Sequence, residues 1–226
     1  MRFFIIGGSG RTGQLVVDEA LKKGHQVTAL VRKSGSLSER EGLSISLGSP
    51  ANEADISNAI ASSPSAIDAV LVTLSARRLT DSPFSAPDPN SPPDFMTICV
   101  KNTLSAMRAA AQPIPKIVVM SSVGTAESIK GVNFLMRMVF THTNMRFSRA
   151  DHEGVDRELR AARDIKTVEV RPWMLTETEA AEVKVYPDDG TGSGFMPKIS
   201  RSSVAQFMVE AAEGSQYDGG APVISN

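Results

Sequence analysis

Apolar positions along this chain fall into short blocks, and most blocks lead into a stretch with helical spacing. Residues 3–6 (Phe3, Phe4, Ile5, Ile6) form an unbroken apolar run, as in a strand buried on both faces of a parallel sheet. Helical character follows over 11–23, Gly24 closes it, and 26–31 predicts a second strand. Further strands are expected at 43–47, 69–74, 116–120 and 166–170, with a terminal one at 222–225. Helices are expected over 95–111, with Ile98, Asn102, Ser105 and Ala109 along one side, and over 148–163, with Val155, Leu159 and Ala162 facing inward. Ser200 is a candidate N-cap for a last helix whose Val204, Phe207, Met208 and Ala211 recur at helical spacing. Parallel neighbours need crossover connections. The alternation therefore predicts an α/β fold, a Rossmann-like doubly wound parallel sheet in a single domain over 1–226.

Two stretches break the pattern. Residues 77–93 carry five prolines and follow the fourth strand, at the edge where open α/β sheets bind ligands. A loop this long is either a passive surface segment or a cover over the site. Residues 124–147 follow the fifth strand and gather Phe134, Leu135, Met136, Met138, Val139, Phe140, Met145 and Phe147. That cluster reads as a core helix or as the apolar wall of a substrate pocket.

Composition narrows the choices. The 226 residues suffice for one domain with a substantial core, and 24 basic against 25 acidic residues leave a net charge of −1. Such a balance gives no field to hold a polyanion, so nucleic acid is not an expected partner. Cys99 is the sole cysteine, which excludes an internal disulfide and a cysteine-based zinc site, and its surroundings mark it as core filler. Three histidines without a companion pattern give no expectation of a metal. No segment reaches the length of a membrane span or forms a signal-peptide core, and a cytoplasmic protein is expected. Oligomeric state is left open.

The candidate chemistry begins at the first strand-to-helix junction. Gly7, Gly10 and Gly13 let the backbone turn sharply and approach a ligand without a Cβ between them. The helix that opens there points its free N–H groups at whatever lies over the loop, and a pyrophosphate is the natural occupant. Ser9, Arg11 and Thr12 complete that loop. The second strand ends in Arg32 and Lys33, where an NAD-binding protein would carry an acid. A guanidinium there can fork onto a 2′-phosphate and stack on adenine, so the expected cofactor is NADP(H).

Taken in order, the glycine loop, 27–32, 116–123, 150–153, 168–175, 199–208 and 217–220 resemble the NmrA-like atypical short-chain dehydrogenases, in the group that includes biliverdin reductase B, or flavin reductase. The resemblance covers nearly the whole chain. It implies an NADPH-dependent reductase with its site above the carboxyl ends of the strands. By motif position it places Ser122 and His152 in catalysis, and Arg171, Pro172, Trp173 and Met174 along the nicotinamide. Leu74, Ser75 and Ser121 complete the cofactor set. The chain departs from the family around Gly48, Ser49 and Pro50, where an acid usually stands, and in the length of 77–93.

Most short-chain dehydrogenases use a Tyr-x-x-x-Lys pair. Here the only tyrosines are Tyr186 and Tyr217, with Gly190 and Ala221 four residues on, so that mechanism is absent. Ser122 either bonds substrate or carboxamide, or satisfies loop backbone. His152, between Asp151 and Glu153, is expected to favour its protonated form and to donate a proton or anchor an acidic substrate. His142 is placed to reach the pocket, His25 reads as a surface residue, and the glycines after Asp188 and Asp189 as a flexible turn. The expected substrate is a small, planar, largely apolar molecule such as a flavin, quinone, tetrapyrrole or aromatic polyketide. Two rival readings remain: a non-catalytic NADP redox sensor that acts through a protein partner, and a tailoring isomerase or cyclase.

Overall fold

In the computed structural model, β1 (Arg2–Ile6) runs parallel between β2 (Gln26–Val31) and β4 (Ala69–Val72), with Ile6 beside Leu30 on one side and Val72 on the other. Residues 1–75, 79–80, 82–89 and 91–226 are described. The remaining elements are β3 (Leu43–Leu47), β5 (Lys116–Met120), β6 (Lys166–Pro172), β7 (Met174–Thr176), β8 (Lys184–Tyr186), β9 (Lys198–Ser200) and β10 (Val223–Ser225). The helices are α1 (Arg11–Lys22), α2 (Glu53–Ala61), α3 (Phe95–Ala109), α4 (Phe134–His142), α5 (Met145–Ala161) and α6 (Arg201–Glu213). The main sheet has the order β3-β2-β1-β4-β5-β6-β10-β8, parallel except for β8, which pairs antiparallel with β10. The order reverses between β1 and β4, and the crevice above that reversal is where such sheets bind ligands.

Strand alternation sorts the core into two layers. Phe3, Ile5, Ala69, Leu71, Val118 and Val168 pack under α1 and α6, where Val204, Phe207, Met208 and Ala211 form the inward stripe. Phe4, Ile6, Val70, Val72, Ile117 and Val119 pack under α2, α3 and α5. Ser200 caps α6 as expected, its hydroxyl accepting from the Ser203 N–H. Gly24 ends α1 with φ +79°, which glycine adopts without strain. Cys99 is fully buried in α3, and burial pushes its thiol up to about 12, consistent with core filler.

The structure adds α2, a 3₁₀ turn (Ala126–Gly131), α4, and a two-stranded ribbon of β7 and β9 to the elements read from sequence. The inward side of α3 is Met96, Cys99, Val100, Thr103, Leu104 and Met107, opposite the side carrying Ile98, Asn102 and Ser105. Of the proline-rich stretch 77–93, residues 77, 78, 81 and 90 lie outside the described residues. His25 is no loose surface residue. Its ring meets Phe3 edge-on at 4.7 Å and its Nε2 lies 2.6 Å from Glu213. Among the described residues no helix is long and apolar enough to cross a membrane.

One tertiary contact fixes α5 against α3 and thereby places the residues around position 152. The cap residue of α3, Asp94, makes no side-chain cap bond. The carboxylate of Asp151, from α5, accepts instead from the N–H groups of Met96 and Thr97, both at 2.9 Å. The Thr97 hydroxyl donates back to Asp151 at 2.8 Å, and a Cβ on Gly154 would stand 2.1 Å from that Oγ1. Gly154→Ala is expected to cost about 1–3 kcal/mol by overpacking this joint, read as a lower midpoint in urea unfolding. An unchanged midpoint would show that the joint yields freely.

Candidate active site

The glycine loop is built by contact. Gly7 has φ +89°, and a Cβ there would stand 2.9 Å from the Thr73 backbone; one on Gly13 would stand 2.0 Å from the Gly7 carbonyl oxygen. Gly10 donates to the Gly7 carbonyl at 2.9 Å and is the N-cap of α1, with no side chain to cap the helix. The amino end of α1 is thus a bare cradle of N–H donors carrying the positive end of a helix dipole. A diphosphate fits that donor set. Gly7, Ser9, Gly10, Arg32, Leu74 and Ser75 line one crevice of about 160 Å³ together with Pro50, from the stretch where the chain departs from the family it resembles, and with Thr73 and Phe95, which sequence reasoning did not single out. Arg32 and Lys33 are exposed at the end of β2. An acid does approach the Gly48–Pro50 turn, but from α2: Asp55 accepts from the Ser49 N–H at 2.8 Å.

Two further charged residues stand at the first turn of α1. Arg201, the first residue of α6, donates to the Thr12 hydroxyl at 2.9 Å and to Glu177 at 2.8 Å. Glu177 also accepts from Arg11 at 3.3 Å. Arg201 lies in a motif that signalled the family, but nothing in its sequence spacing to Thr12 revealed the contact.

A second, much smaller cavity of about 20 Å³ is lined by Ser122, Val123, Thr125, Phe140, Met145, Ser148, Arg149 and His152. It brings together the two residues expected to be catalytic, with a difference in roles. The Ser122 hydroxyl donates to the Val123 carbonyl at 3.1 Å, satisfying loop backbone. Ser121 is the serine that meets His152, with its Oγ 3.1 Å from Nδ1. Gly124 at φ +90° allows the Phe140 ring to lie where a Cβ would stand, closing one wall. Of the apolar stretch 124–147, Phe140 is buried while Phe134 is 77% exposed and Leu135, Met138 and Phe147 are also exposed, so only part of it faces this cavity. His142 is exposed, outside this lining.

The expectation of a protonated His152 is corrected. Its neighbours in sequence are engaged elsewhere: Asp151 on α3, and Glu153 with Arg149 at 2.7 Å. Burial, aided by the positive charge of Arg171 and opposed by Asp151, drives the imidazole down to about 4, so it is neutral at ordinary pH.

The placement of Arg171 along a nicotinamide is also corrected for its side chain, which is fully buried. Its guanidinium donates to Glu169 at 3.1 and 2.7 Å, to Asp156 at 2.6 Å, and to Glu127 and the Asp188 carbonyl at 3.1 Å each. All five N–H bonds are used, leaving none for a cofactor. Pro172 and Trp173 are buried as well, and of this segment Met174 is exposed.

A family model described as NAD(P)H-binding matches residues 7–214. None of the curated proteins matches the sequence. Solved structures with the same fold include ChuY, an anaerobillin reductase from Escherichia coli O157:H7 (13% identity, TM-score 0.76, covering 100% of this chain and 97% of that one). A Bacillus halodurans protein proposed as an NAD-dependent epimerase/dehydratase shares 24% identity at TM-score 0.74, covering 100% and 94%. A Streptococcus pneumoniae protein proposed as an NADH-flavin reductase shares 15% at TM-score 0.71, covering 100% and 99%. With the glycine cradle at the amino end of α1 and a match over nearly its whole length, the chain belongs to the NAD(P)H-binding family.

Proposed function

We propose that this protein is an NADPH-dependent reductase of a planar, largely apolar acceptor such as a flavin, quinone, tetrapyrrole or aromatic polyketide. The observation that carries the reading is the continuity of one crevice from the uncapped end of α1 to Arg32 at the end of β2. The N–H groups around Gly10 to Gly13 hold the diphosphate, and Arg32, with Lys33 beside it, meets the 2′-phosphate and the adenine face. Arg11 and Arg201 add positive charge at the first turn of α1, where Glu177 bridges them. The nicotinamide, when bound, supplies hydride. The acceptor lies toward Ser122 and His152, against Phe140 and Met145. A neutral His152 holds no anion there; it presents one N–H or one lone pair to a polar atom of an otherwise apolar molecule. The resemblance to the NmrA-like group and the reductases among the structural relatives support the same reading.

Steady-state oxidation of NADPH against a panel of flavins and quinones is the direct test; tight cofactor binding without turnover on any acceptor would defeat the reading. Arg32→Asp is expected to lower kcat/KM for NADPH by about tenfold or more while sparing NADH, since it removes a charge-assisted fork and adds a repelling carboxylate.

The neutral imidazole also sets a pH dependence. The folded group titrates about 4 and the unfolded one near 6.5, so its contribution is complete above about 6.5 and is lost as pH falls toward 4. Wild-type stability should decline over that window by up to about 3 kcal/mol from this group, and His152→Asn should flatten the decline in urea titrations at stepped pH.

A further inference from the structure

Helix α4 is apolar on two sides although it lies at the surface. Facing inward, Phe140 walls the small cavity, and Met136 packs with it against the cluster of Val123, Val132 and Trp173. Facing outward, Phe134 is 77%, Leu135 57% and Met138 44% exposed. At about 100° per residue, Met138 falls between Phe134 and Leu135 around the helix axis, so the three form one stripe. The exposure continues past the helix. Phe147, in the first turn of α5, is exposed, and Asn144 donates to the Phe84 carbonyl at 2.9 Å, which brings another exposed phenylalanine to the junction of α4 and α5. Single exposed apolar residues are ordinary, but a contiguous set marks a surface that something covers.

The charge around the stripe has one sign. Residues 128–150 include Lys130, Arg137, Arg146 and Arg149 and no acid, in a chain whose net charge is −1. Arg149 pairs with Glu153 at 2.7 Å. Arg137 donates to the carbonyls of Val132 and Lys130, which leaves its charge unneutralised, and Arg146 lies 4.9 Å from the centre of the Phe147 ring. Among the described residues Lys130, Arg137 and Arg146 form no ion pair. Of the acids nearby, Glu127 is held by Arg160 and Arg171, Glu153 by Arg149, and Asp189 feels Lys130 at a distance. Two copies meeting on this face would set like charges against each other, so a second copy of this chain does not suit it. A surface that is negative at its edge and apolar in depth does.

We propose that α4 docks the protein on an anionic phospholipid bilayer. Phe134, Leu135 and Met138 enter the boundary between headgroups and acyl chains, Lys130 and Arg146 meet the lipid phosphates, and Arg137 adds to the attraction. With nine residues the helix lies on the bilayer and does not cross it. The docking does not rest on the reductase reading, but it bears on it. Phe140 stands on the far side of the same helix, so the small cavity lies one helix diameter (about 10 Å) from the lipid. On the reductase reading, the acceptor class then narrows to a lipid-dissolved molecule such as a quinone.

The test is co-sedimentation of the full chain with two kinds of vesicle, one of phosphatidylcholine alone and one containing about a third phosphatidylserine. We expect binding to the anionic vesicles to exceed binding to the neutral ones by about tenfold or more, and to weaken as salt is raised. Phe134→Gln with Leu135→Gln should lower it by about tenfold or more, and so, separately, should Lys130→Glu with Arg146→Glu. All four side chains are exposed, so neither pair of changes disturbs the core. Equal sedimentation with both vesicles, no sedimentation, or variants that bind like the wild type overturns the proposal. So does a dimer in analytical ultracentrifugation that Phe134→Gln with Leu135→Gln dissociates, which would give the face to a second copy. Given turnover, the same apolar pair of changes should slow NADPH oxidation by a vesicle-borne quinone about tenfold and leave that by a water-soluble one unchanged. An equal effect on both, or none on either, overturns the lipid-dissolved acceptor. Failure of every acceptor to oxidise NADPH would defeat the reductase reading, and sedimentation would still decide the docking.

Discussion

The arrangement above the sheet depends on a close backbone approach. The first turn of α1 lies against the ends of β1 and β4 at distances that leave no room for a side chain at Gly7 or Gly13. Thr73 seals the contact, its hydroxyl donating to the Ile6 carbonyl at 3.2 Å. Because α1 starts there, its N–H groups open into the crevice at the reversal of strand order, and Arg32 at the end of the adjacent strand lines the same crevice. The opening of those N–H donors toward the crevice follows from the absence of a Cβ at Gly7 and Gly13.

Under the other end of the site, the governing quantity is charge in a dry environment. Arg171 is wholly enclosed, and its positive charge is matched by acids drawn from β6, α5 and the 3₁₀ turn. Ion pairs of this kind contribute little net stability, since desolvation offsets most of the attraction, but removing one member leaves an uncompensated charge. Burial, helped by Arg171, keeps His152 unprotonated, and burial, with a smaller push from Asp156, holds Glu169 above the ordinary carboxyl range against the pull of Arg171. Both groups are thus tuned first by burial and only then by the charges around Arg171.

Most of the sheet was legible because its inner strands are buried and appear as apolar runs, while the part-exposed edge strand β3 showed by alternating apolar and polar residues; β2, β3 and β5 begin and end where the pattern placed them. α2 was not, because Ile56 and Ala59 are the buried residues of a short helix with an otherwise polar surface. β7, β8 and β9 have three residues each, too few to carry a period, and long-range pairing creates them. The glycine loop was legible because its chemistry is local. The state of His152 was not: adjacent carboxylates in sequence suggested a cation, yet a helix turns Asp151 and Glu153 toward other partners. Arg171 was misplaced for a related reason. Motif position locates a residue along a strand, and alternation decided that its side chain points inward beneath α5, beside Asp156.

The chain has a single tryptophan. Trp173 sits with Val123, Val132, Phe140 and Val223 in the cluster behind the small cavity, and its indole nitrogen has no hydrogen-bond partner among the described residues. Tryptophan emission from this molecule therefore originates at one point, an apolar niche sharing Phe140 with the cavity wall. Any event that admits water beside that ring shifts the whole tryptophan signal rather than a fraction of it, giving the protein a built-in optical gauge of how tightly this wall is sealed.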